Sequence, residues 1–220
     1  MKWFRRKEEP RQEPDRPTPE MLAERFWCGW YEALPEVAAA LGDREPQRVE
    51  NQLCDLVAEL HPDLHFSLER GQRAIYALVL SGQEDPRLRP YTDAWRAAAP
   101  APDAIWEYHD SVPPVPDPTE VTVNLGAHRI PLADVRVVAQ VDGDVVDVAV
   151  YHPEMAALEP AARDAMTYLP LDAALGERLA ARRLRRVETA TTEPADTIGL
   201  LELRTLVRDL DGPENVGAAD

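Results

Sequence analysis

Val-Arg-Val-Val-Ala-Gln-Val-Asp-Gly-Asp-Val-Val-Asp-Val-Ala-Val-Tyr, residues 135–151, is the stretch whose reading decides the fold. Two Val-rich runs flank Asp142-Gly143, a pair that tolerates positive φ. Such a pattern predicts a β-hairpin closed by a type I′ turn. A two-residue loop there pairs Val141 with Asp144, Ala139 with Val146, Val137 with Val148 and Val135 with Val150. Val135, Val137, Ala139, Val141, Val146, Val148 and Val150 then share one face. Arg136, Val138, Gln140, Val145, Asp147, Ala149 and Tyr151 share the other. One dry face and one mixed face describe an antiparallel sheet covered on one side.

The neighbouring sequence extends this sheet. Val121–Leu125 and His128–Leu132 alternate about Gly126-Ala127, and a leading Gly suits a type II′ turn. The two hairpins in succession predict a four-stranded meander. After His152-Pro153, a helix is expected over Glu159–Leu175, bent or divided at Pro170 and stopped by Gly176. Leu184–Glu188 reads as a strand. Ala195–Leu210 reads as a helix with Leu200, Leu203, Val207 and Leu210 inward.

The first half reads separately. Thr18 caps a helix that opens with Pro19, and Leu22, Phe26, Trp30 and Leu34 follow at spacing four, with Trp27 and Tyr31 widening the stripe. Pro35 predicts a break and a second short helix over Glu36–Leu41. A further helix covers Pro46–Leu60, with Val49, Leu53, Leu56, Val57 and Leu60 on one face. Leu64, Phe66 and Leu68 alternate with polar residues as a half-buried strand. Ala74–Leu80 is apolar on both faces and therefore central. Tyr91, Ala94, Trp95 and Ala98 mark another helix, and Ile105–Tyr108 a short strand. Pro113, Pro114, Pro116 and Pro118 make Val112–Thr119 the main internal break. The expectation is an α+β fold: a largely antiparallel sheet built on hairpins, with helices packed on one face. Residues 1–17 and 211–220 are expected to be disordered tails. A single domain is expected over 18–210, with a sub-boundary at 112–119.

The formal net charge is -16 over 220 residues, of which 45% are hydrophobic. Residues 1–17 hold six Lys/Arg against four Asp/Glu, so the remaining body holds 18 against 36. An acidic body disfavours nucleic acid, whose affinity comes from phosphate neutralisation. It favours either mere solubility or a basic protein partner. Trp3 and Phe4 lie in the basic N-terminal segment, but no apolar stretch follows to make a secretion signal, and no apolar run approaches the ~20 residues of a membrane helix. Cys28 and Cys54 are the only two cysteines and read as reduced core thiols of a cytoplasmic protein.

Several pieces together resemble a bacterial family of unassigned function. They are Phe26-Trp27-Cys28-Gly29-Trp30-Tyr31, His61-Pro62-Asp63-Leu64-His65-Phe66, Leu78-Val79-Leu80-Ser81-Gly82, the Ala-Pro-rich approach to Trp106, and Leu171-Asp172-Ala173-Ala174-Leu175-Gly176-Glu177. Their order and spacing resemble that family from about residue 20 to 210. The resemblance implies a bacterial cytosolic domain and carries no chemistry across.

Direct signatures of chemistry are absent. His61 and His65 stand four apart with Glu59 nearby, but Pro62 breaks the helix on which they would share a face. His109, His128 and His152 lie at strand ends and are expected to be exposed. Ser67, Ser81 and Ser111 are the three serines, and none sits in a nucleophile-elbow sequence. Gly-rich phosphate loops are missing. Asp142 and Asp144 flank a turn, where neighbouring carboxylates arise by chance in so acidic a chain. Arg182-Arg183-Leu184-Arg185-Arg186 is the one basic run; it suits an anionic ligand or, as the plainer reading, a strand face paired with acids. The expectation is no catalytic, cofactor-binding or metal residue. The function expected is a cytosolic protein-binding accessory, adaptor or immunity-like protein. The alternatives are an enzyme whose site is walled by Trp27, Trp30, Trp95 or Trp106, and an oligomer-forming structural component.

Overall fold

The computed structural model describes residues 17–211, apart from 84 and 127. The expected tails, with Trp3 and Phe4, therefore lie outside the described residues, save Pro17 and Asp211. Helix α1 runs Pro19–Gly42, α2 Glu50–Leu60 after a 3-10 turn at Pro46–Arg48, and α3 Arg89–Ala97. With β1 (His65–Arg70), β2 (Tyr76–Ser81) and β3 (Trp106–His109) they build the first half. The second half holds the hairpin β4 (Thr122–Leu125) and β5 (His128–Pro131), then β6 (Arg136–Asp142) and β7 (Val145–Tyr151). It closes with α4 (Pro160–Leu175), α5 (Glu177–Arg183), β8 (Leu184–Ala190) and α6 (Leu200–Asp211). This is an α+β fold whose strands pair mostly antiparallel.

Three separate sheets replace the expected continuous meander. Their orders are β1-β2-β3, β4-β5 and β6-β7-β8. The 3-10 turn Leu132–Asp134 separates the two hairpins, so β5 and β6 do not pair. Two pairs are parallel: β2 with β3, joined through α3, and β7 with β8, joined through α4 and α5. Helical crossovers of this kind are what parallel neighbours need.

The central hairpin keeps its predicted faces and changes its register. Val141 pairs with Val146, Ala139 with Val148 and Val137 with Val150. The loop is Gly143-Asp144, and Gly143 alone takes positive φ, +65°. A Gly at the first loop position is the type II′ arrangement, not the expected type I′. Each partner moves by two residues, which preserves which face a side chain occupies. Val137, Val146, Val148 and Val150 are accordingly buried.

Each half has its own apolar core. In the first, Phe26, Trp27 and Trp30 of α1 meet Trp95 of α3 and Trp106 and Tyr108 of β3. Trp27 stacks on Trp95 with ring centroids 4.8 Å apart, and its Nε1–H donates to the Trp95 carbonyl at 2.8 Å. In the second, Val137, Val146, Val148 and Val150 pack against Met166 and Leu171 of α4 and Leu203 and Val207 of α6.

Several expected details differ. Helix α1 continues through Pro35, because Pro35 lies on the exposed side, where the carbonyl it leaves without a helical donor can face water. Tyr31 is 56% exposed and outside the core stripe. Helix α4 likewise continues through Pro170 to Gly176. Helix α5 was not expected. Helix α6 starts at Leu200, since Ile198 pairs with Val137 as an isolated bridge.

Candidate functional site

The Pro-rich segment 112–119 is held, not free. Val115 N–H donates to the Ala173 carbonyl at 3.0 Å. Arg204 of α6 spreads its guanidinium over four carbonyls: Nε to Ala174 at 2.6 Å, Nη1 to Pro116 at 2.8 Å, and Nη2 to Val115 at 2.6 Å and Ala173 at 3.3 Å. A planar fork suits such a set, and a point charge does not. Arg204→Lys is therefore expected to lose most of what Arg204→Ala loses, about 2–3 kcal/mol, read as a lower denaturant midpoint at unchanged slope.

The two halves meet where α5 begins. The Glu177 carboxylate accepts the Ser81 hydroxyl at 2.7 Å and the Val112 N–H at 3.0 Å. Its backbone N–H donates to the Val112 carbonyl at 2.9 Å. Arg178 bridges Asp93 and Asp110, both at 2.8 Å, and the Gln72 side chain donates to the Pro114 carbonyl at 2.7 Å. The Leu171-to-Glu177 piece of the resemblance thus has a structural job. Leu171 and Leu175 fill the second core, and Glu177 grips the end of β2. Ser81 is bound within this joint, and Ser67 donates to Glu69 at 2.6 Å.

The residues considered for chemistry are placed as follows. Trp27, Trp30, Trp95 and Trp106 are at most 4% exposed and pack on one another, so they wall no cleft. Cys28 and Cys54 are exposed, contrary to the core thiols expected: each sits beside the buried position of its helix rather than on it. His152 is 2% exposed, contrary to expectation, and its Nδ1 accepts the Glu154 N–H at 3.1 Å. His61 Nδ1 accepts the Asp63 N–H and its ring meets Tyr91 at 4.7 Å, whereas His65 is exposed on β1. Among the described residues no group of three His, Cys, Asp or Glu is arranged to hold a metal, and no helix is long and apolar enough to cross a membrane. In the basic run, Arg185 grips Asp147 through Nε at 2.9 Å and Nη2 at 2.7 Å, and Asp142 through Nη1 at 2.7 Å. The hydrogen bond from Arg185 lowers the Asp147 pKa. Arg183 reaches Asp144 at 3.2 Å and Arg186 lies 3.5 Å from Glu188.

What stands open is the outer edge of β1. The β1–β2 register runs unbroken from His65↔Ser81 to Arg70↔Tyr76. Tyr76 N–H donates to the Ile105 carbonyl of the β3 side. Alternation then turns Ala77, Val79 and Ser81 toward β1, where their partners are Glu69, Ser67 and His65. Phe66, Leu68 and Arg70 are left with backbone N–H and C=O pointing away from the sheet. No described strand pairs there.

A groove of about 690 Å³ runs beside this edge, between α2 and β1. Its apolar lining includes Leu53, Val57, Phe66 and Leu68, with Glu50 and Cys54 among the residues along it. On the other sheet face, His65, Ser67, Val79 and Ser81 meet Asp172 and Glu177 around a second hollow of about 430 Å³. Nothing in the sequence distinguished β1 as an edge; its alternation marked only a half-buried strand.

In comparison with known proteins, no family model, curated protein or solved structure matches the chain.

Proposed function

We propose that the chain is a cytosolic protein-binding module without a catalytic role, and that an extended protein segment joins β1 as a fourth strand. The observation that carries this reading is the row of backbone groups at Phe66, Leu68 and Arg70 that no strand among the described residues pairs, beside a groove that can take alternate side chains. Strand addition draws affinity from main-chain hydrogen bonds and specificity from such pockets. The accessory, adaptor and immunity-like roles are narrower forms of the same proposal. The enzyme reading loses its Trp-walled cleft, because the four Trp side chains are buried.

Leu68→Pro tests it. The Leu68 N–H faces outward, so Pro there spares the β1–β2 ladder while removing a donor needed by an added strand. Wild type and variant, both checked by circular dichroism, are used to recover partners from the host. The expected result is a partner held by the wild type, lost by the variant, and protecting the Phe66 and Leu68 amides from hydrogen exchange. A partner held equally by both, with those amides unprotected, overturns the proposal.

A further inference from the structure

We infer that the strand added to β1 is the β1 of a second copy of this chain, antiparallel and centred on Ser67. This rests on the strand-addition reading and names its occupant.

The other edges of the two three-stranded sheets are guarded. The outer edge of β6 is occupied by Ile198, which exchanges two backbone hydrogen bonds of 2.9 Å with Val137. The strand β8 carries exposed Arg185, Arg186 and Glu188, and β3 is four residues long. Charge, shortness and cover are the usual defences of an edge. The six-residue β1 has no Pro, no register shift and no cover among the described residues, and its outward backbone belongs to apolar Phe66 and Leu68 and, at its end, to Arg70.

Its sequence, His65-Phe66-Ser67-Leu68-Glu69-Arg70, complements itself. With Ser67 on the two-fold axis, Phe66 lies opposite Leu68 of the other copy, and these outward residues exchange backbone hydrogen bonds on both sides of the axis. Their side chains lie together on the groove side, covering apolar surface. His65 lies opposite Glu69 of the other copy on the other face. Cross-strand apolar and opposite-charge pairs both favour pairing. Glu69 accepts the Ser67 hydroxyl through Oε1, so Oε2 remains for that imidazole. A register shifted by two residues, centred on Leu68, places Arg70 against Phe66 and loses both complements.

Salt distinguishes this occupant from a basic partner. Two copies, each of formal charge -16, repel outside the strip, and salt screens that repulsion. Self-pairing therefore strengthens with salt, whereas binding of a basic protein weakens.

The test uses the full chain with Cys28→Ser and Cys54→Ser, to which Ser67→Cys is added. Facing residues of a non-hydrogen-bonded pair have Cα atoms about 4.5 Å apart, within disulfide reach. Mild oxidation is expected to cross-link most of the chain as a dimer, while the same change at Glu188 gives less than about a tenth as much. Sedimentation of the unmodified chain is expected to show a dimer that tightens severalfold between low and high salt, and Ser67→Asp weakens it at least tenfold. A monomer at every concentration and salt, with the Phe66 and Leu68 amides protected only by another protein, overturns the second copy and keeps strand addition. A monomer whose β1 amides no protein protects overturns both. A dimer that neither cross-links through Ser67→Cys nor responds to Ser67→Asp places the interface elsewhere and overturns the inference.

Discussion

Gly176→Ala is expected to destabilise the protein by about 2–6 kcal/mol, because two independent penalties fall on one methyl group. The first is conformational. Gly176 sits at φ 74°, ψ 160°, a region reached almost only by Gly. The second is steric. A Cβ there meets Pro114 Cδ at 2.7 Å, Pro114 N at 2.8 Å and the Val112 carbonyl oxygen at 2.9 Å. Two of these are backbone atoms and the third is fixed in a proline ring, so none can swing aside. Relief requires segment 112–119 to move off α4, which strains the Arg204 fork and the Glu177 contacts together. Equilibrium unfolding in urea measures the loss. Ala at Gly126, which has φ +61° but open space around its Cβ, is the comparison that carries only the conformational part. Equal losses at both positions refute the steric argument.

That contact shows which part of the chain was legible from sequence. A Gly after an apolar helix announces a stop, and the stop occurs at Gly176. It does not announce that the Gly lies against a segment sixty residues earlier. Period-two patterning assigned the faces of Val137, Val146, Val148 and Val150 correctly, because faces follow from parity alone. Register did not follow, because Asp142-Gly143 and Gly143-Asp144 are both acceptable loops and only the fitted backbone selects between them. The break at the prolines was visible as a place where helix and ladder stop. Its attachment was not, since Arg204 binds it through carbonyls that carry no side-chain identity.

The candidate site was less legible for a related reason. An edge is defined by the absence of a neighbour, and β1 has the same alternation that a paired strand with one covered face has. The exposure of Cys28 and Cys54 turned on a single step around each helix: Trp27 and Leu53, one residue earlier, are buried. The buried His152 followed a strand end that sequence alone would leave in water. Its Nδ1 instead supports the turn at Glu154.

Glu107→Gln is expected to lower stability by about 3 kcal/mol at neutral pH and to remove a component of the acid sensitivity. Glu107 is 5% exposed on β3. Burial by itself raises a carboxyl pKa. Here it is outweighed by three backbone donors, the N–H groups of Gln72, Arg73 and Ala74 at 2.6, 2.9 and 3.1 Å, and by His109 at 3.2 Å, which together bring the pKa from 4.5 down to about 2. The ionised carboxylate thus organises the β1–β2 connection. A folded pKa below the unfolded value means stability that is fully present above pH 4.5 and lost as pH falls toward 2. Gln keeps one acceptor but turns an amide toward groups that are themselves donors, so it loses the charge-assisted bonds without a substitute. Unfolding free energies of wild type and variant, measured at pH 7, 4 and 3, should converge as the pH drops. Asp85, Asp103, Asp117 and Asp147 are also held low by hydrogen bonds, and their contribution cancels in the difference between the two chains. A difference that stays constant across that range means Glu107 acts by shape alone, and the charge argument fails.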